Sequence, residues 1–99
     1  MRGNVDTFVH VLAMQARRVK RLTIYSRPGC HLCEDMKTVI GQVAAQMPAD
    51  TIAVTEIDVS TDEALERIYA QEIPVLLVDG RKSAKYRITE EELKRILVR

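Results

Sequence analysis

The order in which two apolar periods alternate along this chain limits the folds open to it. Leu22-Thr23-Ile24-Tyr25 is a β-branched and aromatic run that stops at Arg27-Pro28-Gly29, and it predicts a short buried strand. From Cys30 to about Met47, apolar residues at Leu32, Met36, Val39, Ile40, Val43 and Met47 recur at helical spacing, and Pro48 marks the end. Ile52 to Val59 alternates imperfectly and predicts a second strand. Ser60 with Glu63 three residues on has the form of a capping box, opening a helix that carries Ala64, Leu65, Ile68 and Tyr69. Pro74 begins Val75-Leu76-Leu77-Val78, Asp79-Gly80 supplies a turn whose two positions tolerate positive φ, and Lys82 to Tyr86 return as the partner strand. Thr89 and Glu92 make a second capping box before a helix with Leu93, Ile96 and Leu97. The predicted order is β-α-β-α-β-β-α, with no internal repeat and no Gly/Ser-rich linker.

Length and charge narrow the function classes. Ninety-nine residues, 46% of them hydrophobic, suffice for one core and one domain. Fifteen basic and fourteen acidic residues leave a net charge of +1, so neither nucleic acid nor a membrane surface is expected as a partner. No run approaches the roughly eighteen consecutive apolar residues of a membrane helix.

The first twenty residues stand apart as an N-terminal extension. An apolar stretch around Val5 to Met14 follows Arg2, but Asp6 and His10 interrupt it and Arg17, Arg18, Lys20 and Arg21 come after it. A cleaved secretory leader is therefore not expected. Phe8, Val11 and Leu12 fit a short amphipathic helix capped by Asn4 or Asp6, the alternative being a disordered tail.

Chemistry concentrates at the first strand–helix junction, Tyr25-Ser26-Arg27-Pro28-Gly29-Cys30-His31-Leu32-Cys33, which holds both cysteines of the chain. Cysteines three positions apart cannot staple distant parts of a fold, so they read as redox-active or metal-binding, in a reducing compartment such as the cytoplasm. A thiol at a helix start lies near unpaired backbone N–H groups and the positive end of the helix dipole, which favour the thiolate. Cys30 is accordingly the candidate nucleophile, attacking a substrate disulfide to form a mixed disulfide, and Cys33, one turn deeper, is the resolving thiol. A protonated imidazole at His31 would add to the stabilisation of the Cys30 thiolate. Pro28 and Gly29 let the chain turn sharply, and Gly29 leaves space beside the nucleophile for a substrate backbone.

The Cys-x-x-Cys junction, the Ile73-Pro74 dipeptide opening the third strand, and the element order together resemble the thioredoxin superfamily. Within it, residues 21–99 are similar to the small bacterial glutaredoxin-like proteins. The resemblance implies a three-layer α/β/α domain around a four-stranded mixed sheet, and a thiol–disulfide oxidoreductase as its activity. It implies that Arg27 supports the thiolate and a glutathione carboxylate. It also implies that Pro74 is a cis-proline facing the cysteines, with the Ile73 backbone free to pair with an extended substrate. The expected partners are a disulfide-containing protein or a glutathione mixed disulfide, and a reductase not named by the sequence. Glutathione is a candidate co-substrate, no tightly bound cofactor or metal is expected, and a monomer is expected. Three features depart from the relatives. Glu72-Ile73-Pro74 stands where glutaredoxins carry Thr-Val-Pro, no Gly pair follows the hairpin, and Ile24 sits where thioredoxins place a buried acid.

Two other readings compete. One is a non-catalytic module that presents the Pro74 edge to a partner. The other is a metal or iron–sulfur carrier shared between subunits, since Cys30, Cys33 and His31 with only His10 elsewhere do not readily close a four-ligand zinc site within one chain.

Overall fold

The computed structural model describes residues 19–98. The predicted N-terminal helix or tail therefore lies outside the described residues. The chain folds as β1 (Lys20–Ser26), α1 (His31–Gln46), β2 (Ile52–Asp58), a 3-10 turn (Val59–Thr61), α2 (Glu63–Tyr69), β3 (Val75–Val78), β4 (Arg81–Lys85) and α3 (Glu90–Leu97). The sheet order is β2-β1-β3-β4, with β1 parallel to β2 and antiparallel to β3, and β3 antiparallel to β4. This is the mixed four-stranded sheet that the family resemblance implies.

Strand alternation sends the side chains of β1 to opposite faces. Leu22, Ile24 and Ser26 point to one face, where Leu22 and Ile24 join Leu76 and Val78 of β3 beneath Met36, Ile40 and Val43 of α1 and Leu93 and Leu97 of α3. Tyr25 points to the other face and stacks on Tyr69 of α2, ring centroids 4.2 Å apart. Helices thus cover both faces and complete three layers. The cover is uneven, because α2 has seven residues, none of them fully buried, and its Ile68 is 61% exposed.

Local chemistry sets the boundaries. The Asp79-Gly80 turn has φ of 51° and 82° at its two positions, a conformation that Asp and Gly tolerate. It is tied back to β1 by Arg21 N–H donating to Asp79 Oδ1 at 2.9 Å and Asp79 N–H donating to the Arg21 carbonyl at 2.8 Å. Thr89 and Glu92 form the predicted capping box of α3.

Three details differ from the sequence expectations. Ser60 does not cap α2: its hydroxyl and its N–H both donate to Asp58 Oδ1, at 2.6 and 2.9 Å. Asp62 is the N-cap instead, accepting from the N–H groups of Ala64 and Leu65. An ionised carboxylate adjacent to the helix outcompetes a hydroxyl already engaged two residues upstream. Next, β4 ends at Lys85, since Tyr86 turns out of the strand with φ of 69°. Its N–H donates to the Pro74 carbonyl at 2.9 Å and its hydroxyl to the Gln71 carbonyl at 3.1 Å. Finally, a bulge leaves Ser83 without a partner in the β3–β4 register. Lys82 and Lys85 therefore share a face, where both ion-pair with Glu72.

Candidate active site

Cys30 is the N-cap residue of α1, with φ of −95° and ψ of 111°. Its carbonyl accepts the first helical bond from Glu34 N–H at 3.1 Å, and its Sγ accepts from Cys33 N–H, also at 3.1 Å. Sulfur thus occupies the position where a Ser or Asp oxygen ordinarily caps a helix. Backbone donors and the helix dipole converge there, and both favour negative charge. Cys30 and Cys33 are joined as a disulfide with their Cα atoms 5.2 Å apart. Cys30 is half-buried, whereas Cys33 is 1% exposed beneath it.

The loop before the helix is shaped by Gly29, whose φ of 76° lies in the left-handed region. Nothing lies within 4 Å of where a Cβ would sit on Gly29, so conformation rather than crowding calls for glycine here. His31 is the exposed first residue of α1. Arg27 turns toward α2, where its guanidinium pairs with Glu66 Oε1.

Register places Pro74 at the same end of the sheet. Tyr25 pairs with Val75, so Pro74 comes alongside Ser26, and on the other flank Ser26 pairs with Asp58. The Ile73-Pro74 peptide is cis and Pro74 is buried. Ile73 makes no backbone hydrogen bond among the described residues. The structure thus gathers Arg27, Gly29, Cys30, His31, Cys33, Ile73 and Pro74 at one end of β1.

Beneath the loop runs a polar network that sequence reasoning did not find. Ser26 is a buried polar side chain, and its hydroxyl donates to Glu56 Oε2 at 2.7 Å. Glu56 also pairs with Lys37 of α1 at 3.0 Å, and Lys37 reaches Glu34 at 2.8 Å. The Ser26 hydrogen bond first, and Lys37 second, hold the Glu56 carboxyl below its ordinary range. Hydrogen bonds donated to Glu34 and Glu56 push the Lys37 ammonium up. Burial, followed by the neighbouring Tyr69, pushes the Tyr25 phenol up. Among the described residues, no three His, Cys, Asp or Glu side chains converge as metal ligands.

The fold recurs in known proteins. The Glutaredoxin-like domain (DUF836) family pattern matches residues 21–98. This chain belongs to that family. It is 28% identical over 75 residues to the glutaredoxin-like protein YDR286C homolog of Dictyostelium discoideum, covering 73% of this chain and 69% of that protein. Among solved structures, protein XcR50 from X. campestris is similar at 28% identity with a TM-score of 0.65, over 78% of this chain and 95% of that one. Chloroplastic thioredoxin z shares the fold at 17% identity and a TM-score of 0.66, over 88% of this chain and 82% of that one. The glutaredoxin-like thioredoxin fold and the Cys30–Cys33 pair fit a redox role. No helix among the described residues is long and apolar enough to cross a membrane.

Proposed function

We propose that this protein is a thiol–disulfide oxidoreductase that cycles Cys30 and Cys33 between dithiol and disulfide. The observation that carries the reading is the asymmetry of the pair: Cys30 caps the helix and is partly exposed, while Cys33 is shut beneath it. In the reducing direction, the Cys30 thiolate attacks one sulfur of a substrate disulfide, whose S–S bond breaks, and the departing thiolate takes up a proton. The Cys33 thiol then loses its proton and attacks Cys30, releasing the second substrate thiol and leaving the protein disulfide. Two electrons pass from protein to substrate.

The neighbours have supporting roles. Arg27 contributes positive charge near the Cys30 thiolate, shared with Glu66, and His31 at the first turn adds to it when protonated. Gly29 keeps the approach to Cys30 open, and the unused backbone groups of Ile73 beside Pro74 suit an extended substrate segment. The substrate class is a protein disulfide or a glutathione mixed disulfide, with a separate reductase restoring the dithiol in the cytoplasm.

The test is a redox titration. The protein is equilibrated in graded dithiol/disulfide buffers, free thiols are counted by mass spectrometry, and metal content is recorded on the same sample. A reversible two-electron transition within the cellular range of potentials is expected. Absence of a transition, or thiols masked by stoichiometric metal, would refute the reading in favour of an inert module or a metal carrier. Cys30→Ser should abolish disulfide reduction, whereas Cys33→Ser should retain a single-thiol reaction with glutathione mixed disulfides.

A further inference from the structure

We infer that Glu66 is a positioning residue that sets the charge selectivity of the Cys30 site, by holding Arg27 on α2 and biasing the protein toward neutral or cationic disulfides over anionic ones. The inference rests on the oxidoreductase reading above and names the substrate class of that site.

The geometry is specific. Arg27 stands three residues before Cys30, on the loop that joins β1 to α1. Its guanidinium is engaged by Glu66 Oε1 from the middle of α2, across 39 residues of sequence. The two side chains are 38% and 42% exposed, so the pair lies at the rim of the site rather than in the core. The Tyr25–Tyr69 stack anchors α2 to β1 one turn beyond Glu66 and holds the carboxylate in place. Asp58, at the sheet end beside Ser26, also lies in the field of Arg27.

The charge balance follows. Lys37, a second cation near the helix start, is occupied by Glu34 and Glu56. Glu34 and Asp35 follow Cys33 directly, and Asp62 and Glu63 lead into α2. Arg67 shares a cavity with Asp62, Glu63 and Glu66, and Arg87 one with Asp35, so these guanidinium groups lie among carboxylates of their own; with Arg27 held by Glu66, an anionic disulfide lacks the guanidinium closest in sequence to Cys30. A disulfide flanked by amines meets the same carboxylates favourably. Freed from Glu66, the Arg27 fork would be available to a substrate carboxylate.

The experiment uses protein reduced in advance and three small symmetrical disulfides: dithiodiglycolate (anionic), hydroxyethyl disulfide (neutral) and cystamine (cationic). Each oxidises the dithiol to the Cys30–Cys33 disulfide and leaves as two thiols, so single-turnover rates compare directly. The readout is the anionic-to-neutral rate ratio, with the cationic-to-neutral ratio as its mirror. In Glu66→Gln the first ratio is expected to rise about threefold to fivefold, the scale of an exposed ion pair, and to fall back at high salt. Glu63→Gln removes a nearby charge without touching Arg27, and its effect should be smaller. In an Arg27→Gln background the Glu66 substitution should lose most of its effect, and Glu66→Asp should restore selectivity in part.

A Glu66→Gln shift no larger than that of Glu63→Gln, or one that persists without Arg27, would overturn the inference. A wild-type protein that fails to reduce even hydroxyethyl disulfide would overturn the oxidoreductase reading itself, a distinct outcome.

Discussion

The two faces of the sheet are built from different interactions. Toward α1 and α3, Leu22, Ile24, Leu76, Met36 and Leu93 are all at most 1% exposed, an apolar core with little tolerance for change of volume. Toward α2, Val75 beside Tyr25 and Val59 ahead of the helix are fully buried, but α2 itself has no fully buried residue and is held by an aromatic stack and the Arg27–Glu66 pair, while Glu72 in the loop after it pairs with Lys82 and Lys85. Cys33 belongs to the first face, since it lies on α1 and is buried with it. Arg27, on the approach to Cys30, is held by the second. Rigidity therefore underlies the disulfide, while the charge around it is set by contacts of small energy. Such contacts can change without unfolding the domain.

Substitutions on each face test that contrast. The largest loss of stability is expected for Leu76→Ala, about 2–5 kcal/mol in denaturant unfolding, because a fully buried side chain leaves a cavity between β3 and α1. Tyr69→Ala on the opposite face should lose only about 1–2 kcal/mol, most of it the stack with Tyr25. A loss as large as that of Leu76→Ala would erase the distinction. Gly29→Ala should destabilise by about 1–2 kcal/mol, because the residue must hold a positive φ while no neighbour crowds a Cβ.

The smallest effect is electrostatic and depends on pH. The Glu56 carboxyl titrates below its ordinary value of about 4.5, so in acid the unfolded chain binds more protons than the folded one. Its stabilisation is present above that value and is lost as pH falls through the depressed one. Glu56→Gln should therefore be less stable than wild type at neutral pH, by under about 1 kcal/mol for so exposed a pair, and the gap should close as pH falls through the depressed Glu56 value. Unfolding curves at several pH values check both the sign and the window.

Much of this was legible in the sequence because it depends on local chemistry. Among the described residues, the alternating periods place the four strands and the three α-helices, Asp79-Gly80 specifies its own turn, and Thr89 with Glu92 specifies its own cap. Cys30 at the first turn of α1 follows from the same patterns. Less was visible where partners compete or lie far apart. Ser60 has the form of a cap, but Asp58 engages it and Asp62 takes the position. No residue type announces that Tyr86 adopts a left-handed conformation, or that Ser83 bulges so that Lys82 and Lys85 meet Glu72. The partner of Arg27 is set by how α2 packs on β1, which no local pattern encodes. The isomer of the Ile73-Pro74 bond is likewise fixed by tertiary context.

The most direct measurement is alkylation of the fully reduced protein with iodoacetamide across a pH series, with each adduct localised by mass spectrometry. If Cys30 is an activated helix-capping thiol above a shielded Cys33, it is modified first, with a rate midpoint below the roughly 8.5 of a free thiol, and Cys33 reacts far more slowly. Equal rates at the two cysteines, or a Cys30 midpoint at or above the free-thiol value, would contradict the asymmetry on which the proposed chemistry depends.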